Sequence, residues 1–461
     1  MLTDDVLLEI FDFYQSNHDY SLCIVWEWHL LAHVCRRWRQ IIFDSPNRLN
    51  VRILCTPKTP VSKNLRIWPA FPLAIDYNHN DSGTQGNVVA AIRQIDRVSY
   101  VKLNVTGSQL EKVASEMLQP FPVLTHLYID SKRRLTFTAN FLGGSAPCLR
   151  ELVLSGVNYP ALPTLLLSAS GLVILKLHDI HPISYISPET MIACLAASPR
   201  LETLIIEFRS RFPLGLATPW LRQIRLPLVT QTVLPALTDF WYKGDCEYLE
   251  DLIPRIECPQ LEDIFIDYLS QNDDFQVAQL SKFVDRSVGP FRRAYVSLLS
   301  KRVTFNLDRH ANYNGWDRRV GVTISFTAID WQSQIAQVLG QFSVALSKVV
   351  HLEFKRNLKL HVEEATDNVE WPRLFRQFPA MQMLHVCWDL SEYVALALEA
   401  VSHTPEMAAE VLPSLDLIYL EGRPASSIET FVAVRQLSGH PVTVVDTKTE
   451  FDQRVESYVS K

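Results

Sequence analysis

Residues 147–154 read Pro-Cys-Leu-Arg-Glu-Leu-Val-Leu, a proline followed two residues later by apolar-x-x-apolar-x-apolar, and the pattern recurs along the chain. It returns at Pro122/Leu124-Leu127-Ile129, Pro199/Leu201-Leu204-Ile206, Pro219/Leu221-Ile224-Leu226, Pro235/Leu237-Phe240-Tyr242 and Pro259/Leu261-Ile264-Ile266. Two late copies are Pro379/Met381-Leu384-Val386 and Pro413/Leu415-Ile418-Leu420. Val98-Val101-Leu103, Leu172-Leu175-Leu177 and Val349-Leu352-Phe354 carry the triplet without the proline. In a chain this apolar the bare triplet arises by chance ~20–30 times, whereas the version with proline arises roughly once or twice. Eight proline-bearing copies therefore mark a repeat. Pro160/Leu162-Leu165-Leu167 starts too soon after Leu149 for a full unit and is read as coincidental. The short step from Leu221 to Leu237 implies that one of that pair lies outside the repeat.

Helix-like stretches separate the predicted strands. Gln109 to Leu118 places Leu110, Val113, Ala114, Met117 and Leu118 on one face. Ser187-Pro188-Glu189 opens a second helix with an N-cap and a proline at the first helical position. Ser426-x-x-Glu429 reads as a capping box, with Gly439 as a C-terminal stop. Strand, loop, helix, loop, repeated at roughly 20–36 residues, is the rhythm of a leucine-rich-repeat-like solenoid. Each unit buries its apolar face against its neighbours, which implies a curved stack with a parallel sheet on the concave face. The copies are irregular: where a regular array places asparagine or cysteine after the second leucine, this chain has Lys132, Val157 and Ile180. Between Phe291 and Ser347 the signal fades. Val320 to Phe326 still reads as a strand there, and His310 to Arg319 as a projecting loop.

The beginning of the chain is of another kind. Residues 4–14, Asp-Asp-Val-Leu-Leu-Glu-Ile-Phe-Asp-Phe-Tyr, predict a helix with Thr3 as N-cap and two acids where the helix dipole favours them. Val6, Leu7, Leu8, Ile10, Phe11, Phe13 and Tyr14 fill an apolar arc of roughly 220°, about twice the usual stripe. Leaving three or four such side chains in water forgoes on the order of 5–10 kcal/mol of burial. The helix is therefore expected to be covered on two sides, by its own module and by something else. The competing reading buries it wholly within the chain's own core. A second helical stretch, Trp28 to Phe43, carries Leu31, Val34, Trp38 and Ile41 or Ile42 at helical spacing, with Arg36, Arg37 and Arg39 turned away.

Leu2…Asp5-Val6-Leu7-Leu8-Glu9-Ile10-Phe11, followed by Leu31…Val34-Cys35-Arg36-Arg37-Trp38, resembles the F-box. The resemblance implies a three-helix module that binds a Skp-family linker and, through it, a cullin in an SCF-type ubiquitin ligase. Its matched positions are Leu2, Leu7, Leu8, Ile10, Phe11, Leu31, Val34, Cys35 and Trp38, shared between module core and linker. Thr3 stands where the motif has proline, and the interval from Phe11 to Val34 is longer than usual, which implies a loop or extra turn around Gln15 to Cys23. An F-box followed by degenerate leucine-rich repeats resembles a class of fungal substrate adaptors, in which the repeats select a protein for ubiquitination.

Composition is compatible with this. The chain has 461 residues, 48% of them hydrophobic, enough for a large core. Its net charge of -6 gives no general pull toward nucleic acid or acidic membranes. No apolar run reaches about 18 residues. Met1-Leu2-Thr3-Asp4-Asp5 is acidic where a signal peptide is basic, so a cytoplasmic or nuclear protein is expected. Eight scattered cysteines without a C-x-x-C pair read as reduced thiols.

Chemistry is sparse. In His178-Asp179-x-His181 the alternation of a strand would send residues 178 and 180 to one face and 179 and 181 to the other, so the histidines are expected to diverge. No phosphate-binding loop occurs, and Gly143-Gly144-Ser145-Ala146-Pro147 lacks the last glycine of a nucleophile elbow. Lys132-Arg133-Arg134 and Arg318-Arg319 are read as solvated basic clusters. Trp220, Trp241 and Trp388, beside or within predicted strands, are expected in the core, with interface anchors as the alternative. No catalytic residue, cofactor or metal is expected.

The resulting organisation is a helical module over 1–50, a transitional stretch over 51–97, the repeat region over 98–446 and a tail over 447–461. The leading reading is a non-enzymatic adaptor for an unidentified protein substrate. One alternative is a repeat scaffold whose N-terminal helices only cap the array. The other is an enzyme whose site is formed by fold geometry alone.

Overall fold

The computed structural model describes residues 2–16, 24–46, 48–49, 51–65, 69–209, 231–269, 276–299, 302–309, 321–327, 331–356, 371–402, 410–421 and 426–445. The chain is mixed α/β and divides into two units, residues 1–205 with 215–229, and residues 206–214 with 230–461.

The first unit opens with three helices, α1 (Asp4–Ser16), α2 (Ile24–Val34) and α3 (Arg36–Asp44). Strands β1 (Ile53–Cys55), β2 (Leu73–Asn78), β3 (Val98–Val105), β4 (His126–Thr136), β5 (Glu151–Asn158), β6 (Ile174–Ile180) and β7 (Thr203–Phe208), the last crossing the boundary after residue 205, then follow in chain order in the sheet. The sheet begins earlier than the repeat pattern implies, because β1 and β2 lie within the 51–97 stretch and pair in parallel, Ile53 opposite Leu73. The apolar positions align as ladders. Val101, Leu127, Leu152 and Leu175 face one another in register, as do Leu103, Ile129, Leu154 and Leu177, and all are buried.

The repeated proline has a local cause in the backbone. In each described copy the first apolar residue donates its N–H to the carbonyl three residues back: Leu124 to Phe121, Leu149 to Ala146, Leu201 to Ser198, Leu237 to Leu234, Leu261 to Cys258, Met381 to Phe378 and Leu415 to Leu412. These are hydrogen-bonded β-turns with proline in the second position, where its fixed φ is already that of the turn. Copies without proline close the same bond, Leu172 N–H donating to Ala169 and Val349 N–H to Leu346. Successive turns are also bonded to one another. Arg150 N–H donates to the Thr125 carbonyl at 2.8 Å, Val173 to Arg150 at 2.7 Å and Glu202 to Val173 at 2.8 Å. The coincidental Leu162-Leu165-Leu167 lies in a helix, Leu162–Ser168. Leu221-Ile224-Leu226 and Trp220 fall outside the described residues.

The second unit contains β9 (Asp239–Gly244), β11 (Asp263–Tyr268), β12 (Arg293–Leu299), β13 (Arg302–Asp308), β14 (Gly321–Thr327), β15 (His351–Arg356), β16 (Met383–Val386), β17 (Leu417–Leu420) and β18 (Thr443–Val445). A separate two-stranded parallel sheet joins β8 (Thr232–Val233) to β10 (Ile256–Glu257). The large sheet runs β9-β11-β14-β13-β12-β15-β16-β17-β18. It is parallel except at β13, which is antiparallel to both β12 and β14. This reversal accounts for the fading signal after Phe291: β12, β13 and β14 pair antiparallel in succession, which interrupts the run of parallel repeats. The bonded turns resume beyond it, from Val350 to Arg292, Gln382 to Val350, Asp416 to Gln382 and Thr443 to Asp416, each at 2.9 Å. The projecting loop expected at 310–319 and the 447–461 tail lie outside the described residues.

The expected caps form at Ser187, whose hydroxyl accepts from Thr190 N–H, and at Gly439, whose φ of +79° ends the helix Ser426–Leu437. Two expectations are corrected. Trp241 and Trp388 are exposed, not core residues: Trp241 projects from β9 onto Phe265 and Trp388 stands at the first turn of a helix. At His178 the simple alternation fails, because Asp179 has a φ of +56° and both Leu177 and Ile180 are buried while His178 is half-buried. His181 instead accepts from Ile183 N–H through Nδ1.

The cysteines among the described residues are free thiols, and burial pushes Cys55, Cys194 and Cys258 up to about 12. Among those residues no helix is long and apolar enough to cross a membrane.

Candidate functional site

The wide apolar arc of α1 divides into two faces. Leu7, Leu8 and Phe11 point inward and are buried, with Phe11 edge-on to Trp38 at 4.8 Å between ring centroids. Val6, Ile10 and Phe13, at i, i+4 and i+7, line the opposite side. On α2, Trp28, Leu31 and Ala32 are buried, while Leu30 and Val34 form an outward i, i+4 pair. Leu2, Val6, Ile10, Phe13, Leu30 and Val34 are between 43% and 69% exposed. They are six of the fifteen large exposed hydrophobic residues among those described, within the first 34 residues of the chain. Isolated exposed leucines are ordinary; six within one short module are not.

The sequence around this face holds it rigidly. Arg37 on α3 donates through Nε to Asp4 at 3.0 Å and through a terminal nitrogen to the Leu2 carbonyl at 2.6 Å, fixing the start of α1. Arg48 pairs with Glu9 and, at 3.2 Å, with Asp12, so the polar strip of α1 faces the following segment. The Cys35 sulfur caps α3 by accepting from Trp38 N–H at 3.4 Å, and Arg39 Nε bonds the Ala32 carbonyl at 3.1 Å, which sets the sharp corner between α2 and α3. Trp28 Nε1 donates to the Arg52 carbonyl at 3.0 Å, and its ring meets Phe43 and Phe71. The helices are thereby anchored to the first strands.

Of the nine positions matched to the motif, Leu2, Ile10, Val34 and Cys35 reach the surface. Leu7, Leu8, Phe11 and Leu31 lie inside, and Trp38 is half-buried between the two sets. Val6, Phe13 and Leu30 complete the outward face without belonging to those nine. Helical periodicity alone places Val6 and Phe13 beside Ile10; Leu30 is found only from the orientation of α2.

A second surface lies on the strand face of the first unit. Tyr100, His126 and Tyr128 meet as tilted rings across β3 and β4, with the Tyr100 ring centre 5.7 Å from that of His126 and 5.4 Å from that of Tyr128. The Tyr128 hydroxyl donates to Glu151, whose other oxygen lies 3.4 Å from His126 Nε2. The Arg52 guanidinium sits 5.6 Å from the Tyr100 ring centre. Burial pushes the Tyr100 and Tyr128 phenols well above their ordinary value, so both stay protonated donors. Burial raises Glu151, but bonds from His126 and Tyr128 outweigh it and hold the carboxyl below its usual range. The result is a stripe of neutral aromatic donors beside a fixed carboxylate and a guanidinium, suited to contact with a polar peptide surface.

No known family model matches the chain, and no curated protein matches its sequence.

Proposed function

We propose that the chain is a substrate adaptor of an SCF-type ubiquitin ligase, in which residues 1–50 act as an F-box on a Skp-family linker and a leucine-rich-repeat-like solenoid receives a protein substrate. One observation carries this reading: α1 and α2 already bury Leu7, Leu8, Phe11, Trp28, Leu31 and Ala32, yet their outer sides, with Leu2 just before α1, leave six apolar side chains in water. Covering several of them by half to two-thirds stabilises a complex by several kcal/mol, at about 25 cal/mol per Å². The stacked, turn-bonded strands support the repeat reading, and the Tyr100–Tyr128 stripe with the Trp241–Phe265 pair supplies aromatic anchors on strand faces. In this role the chain performs no chemistry of its own; ubiquitin transfer belongs to other subunits.

The test is binding of the full chain to a purified Skp-family linker, with Ile10→Asp and Phe13→Asp compared with wild type. Loss of binding with an unchanged circular dichroism spectrum supports the adaptor. Undiminished binding by both variants, or no binding by folded wild type, removes it.

The capping reading is favoured by a different observation, the Trp28 bond to the Arg52 carbonyl and the Trp28–Phe43–Phe71 cluster that tie the helices to the sheet. A cap needs only the buried face, so it predicts that Phe13→Asp changes nothing measurable.

A further inference from the structure

The strand face of the second unit brings together three side chains that the sequence keeps apart. His351 and Glu353 are two residues apart on β15 and share a face, and Glu353 stands directly opposite His385 of β16 in the parallel register. All three are buried, and one ligand atom from each lies within 4.8 Å of the others.

His385 lies between two carboxylates. Its Nε2 is 3.2 Å from Glu421 Oε1, and its Nδ1 is 3.4 Å from Glu353 Oε1. A neutral imidazole has one N–H. When Nε2 donates it to Glu421, Nδ1 turns a lone pair toward a carboxylate oxygen, and two acceptors face each other. A cation bound by both atoms relieves that opposition, and His351 brings a third ligand atom within 4.8 Å of the other two. Two imidazole nitrogens and a carboxylate oxygen thus converge on one buried point, the donor atoms that ligation requires.

We propose that His351, Glu353 and His385 bind a borderline divalent transition-metal ion, zinc foremost, with Glu421 as the outer carboxylate that fixes the His385 tautomer. Two imidazoles and one carboxylate are a recurrent three-ligand zinc set that keeps a fourth position open. A carboxylate behind the ligating histidine is its usual support. Two nitrogen donors disfavour magnesium and calcium, which take oxygen. The ion replaces the Lys355 ammonium, now 2.6 Å from Glu353 Oε1. That lysine side chain is 40% exposed and can turn to water. Arg293 keeps the other Glu353 oxygen, at 3.5 Å. Bound in this way the ion pins β15 to β16.

The experiment is equilibrium dialysis of the chelator-stripped full chain against zinc, with metal content by mass spectrometry, and cobalt(II) substitution read by visible absorption. One zinc per chain and a tetrahedral cobalt spectrum are expected, both lost in His351→Gln and His385→Gln. Glu421→Gln weakens binding by roughly 10–100-fold. No binding by the folded wild type overturns the site; binding that persists in folded His351→Gln marks an adventitious ion and overturns it equally. If the histidine variants do not fold, Lys355→Met decides. Tighter zinc binding than wild type supports displacement of the ammonium, and unchanged or weaker binding overturns the proposal.

Discussion

At the scale of single residues, neighbours on one helix have opposite fates. Phe11 is buried against Trp38, whereas Ile10 and Phe13 face water. Phe11→Ala should therefore cost about 3–5 kcal/mol in urea unfolding, while Phe13→Asp should stay within about 1 kcal/mol of wild type. The wide arc of α1 is legible in the sequence because helical periodicity is local. The division of that arc is not, since which half turns inward depends on α3 supplying Trp38. The His351, Glu353 and His385 cluster leaves no trace in sequence, because the residues meet only through the register of two strands separated by a helix. Glu151 gives a residue-scale test of pH. Its folded carboxyl lies below the ordinary value, so its contribution is present above about pH 4.3, the unfolded value, and is lost as pH falls through the folded one. Glu151→Gln should thus narrow the difference in urea midpoint between neutral pH and about pH 3.

At the scale of elements, the proline-turn strands are readable because their cause is short-range. A turn fixes the start, and a triplet with alternating ends fixes the buried face. The β12–β13–β14 reversal is unreadable because it is specified by distant pairing: Ala294 opposite Leu307, Val296 opposite Phe305 and Leu298 opposite Val303. Strands β1 and β2 are missed for a different reason, since prolines 57, 60, 69 and 72 flank short segments and make the region look like a linker. Gly321 shows how closely the antiparallel pair is built. A Cβ there would lie 2.0 Å from the Leu307 carbonyl oxygen, against backbone that cannot yield. Gly321→Ala should destabilise the chain by more than about 1 kcal/mol and lower amide-exchange protection first in β13 and β14.

At the scale of the molecule, stability is distributed through neighbours. Within the first unit each inner strand bonds to one strand on either side, so damage should spread a short way and fade. Leu152→Ala is expected to cost roughly 2–5 kcal/mol, with loss of amide-exchange protection concentrated in β4, β5 and β6 and α1–α3 unaffected. Uniform loss across the unit would show instead that it unfolds as a single block. The turn-to-turn bonds have a consequence for how such a chain can change over time. From proline to strand end every residue is counted, because one insertion there would invert the pleat and turn leucines to water. Between strands nothing is counted, and the interval already runs from 23 residues, Leu149 to Leu172, to 36, Leu201 to Leu237. The chain thus carries a punctuation, strict words separated by elastic spaces. Whole words can be added, dropped or spliced between related chains at the spaces, and new binding loops can grow there without disturbing the grammar of the sheet.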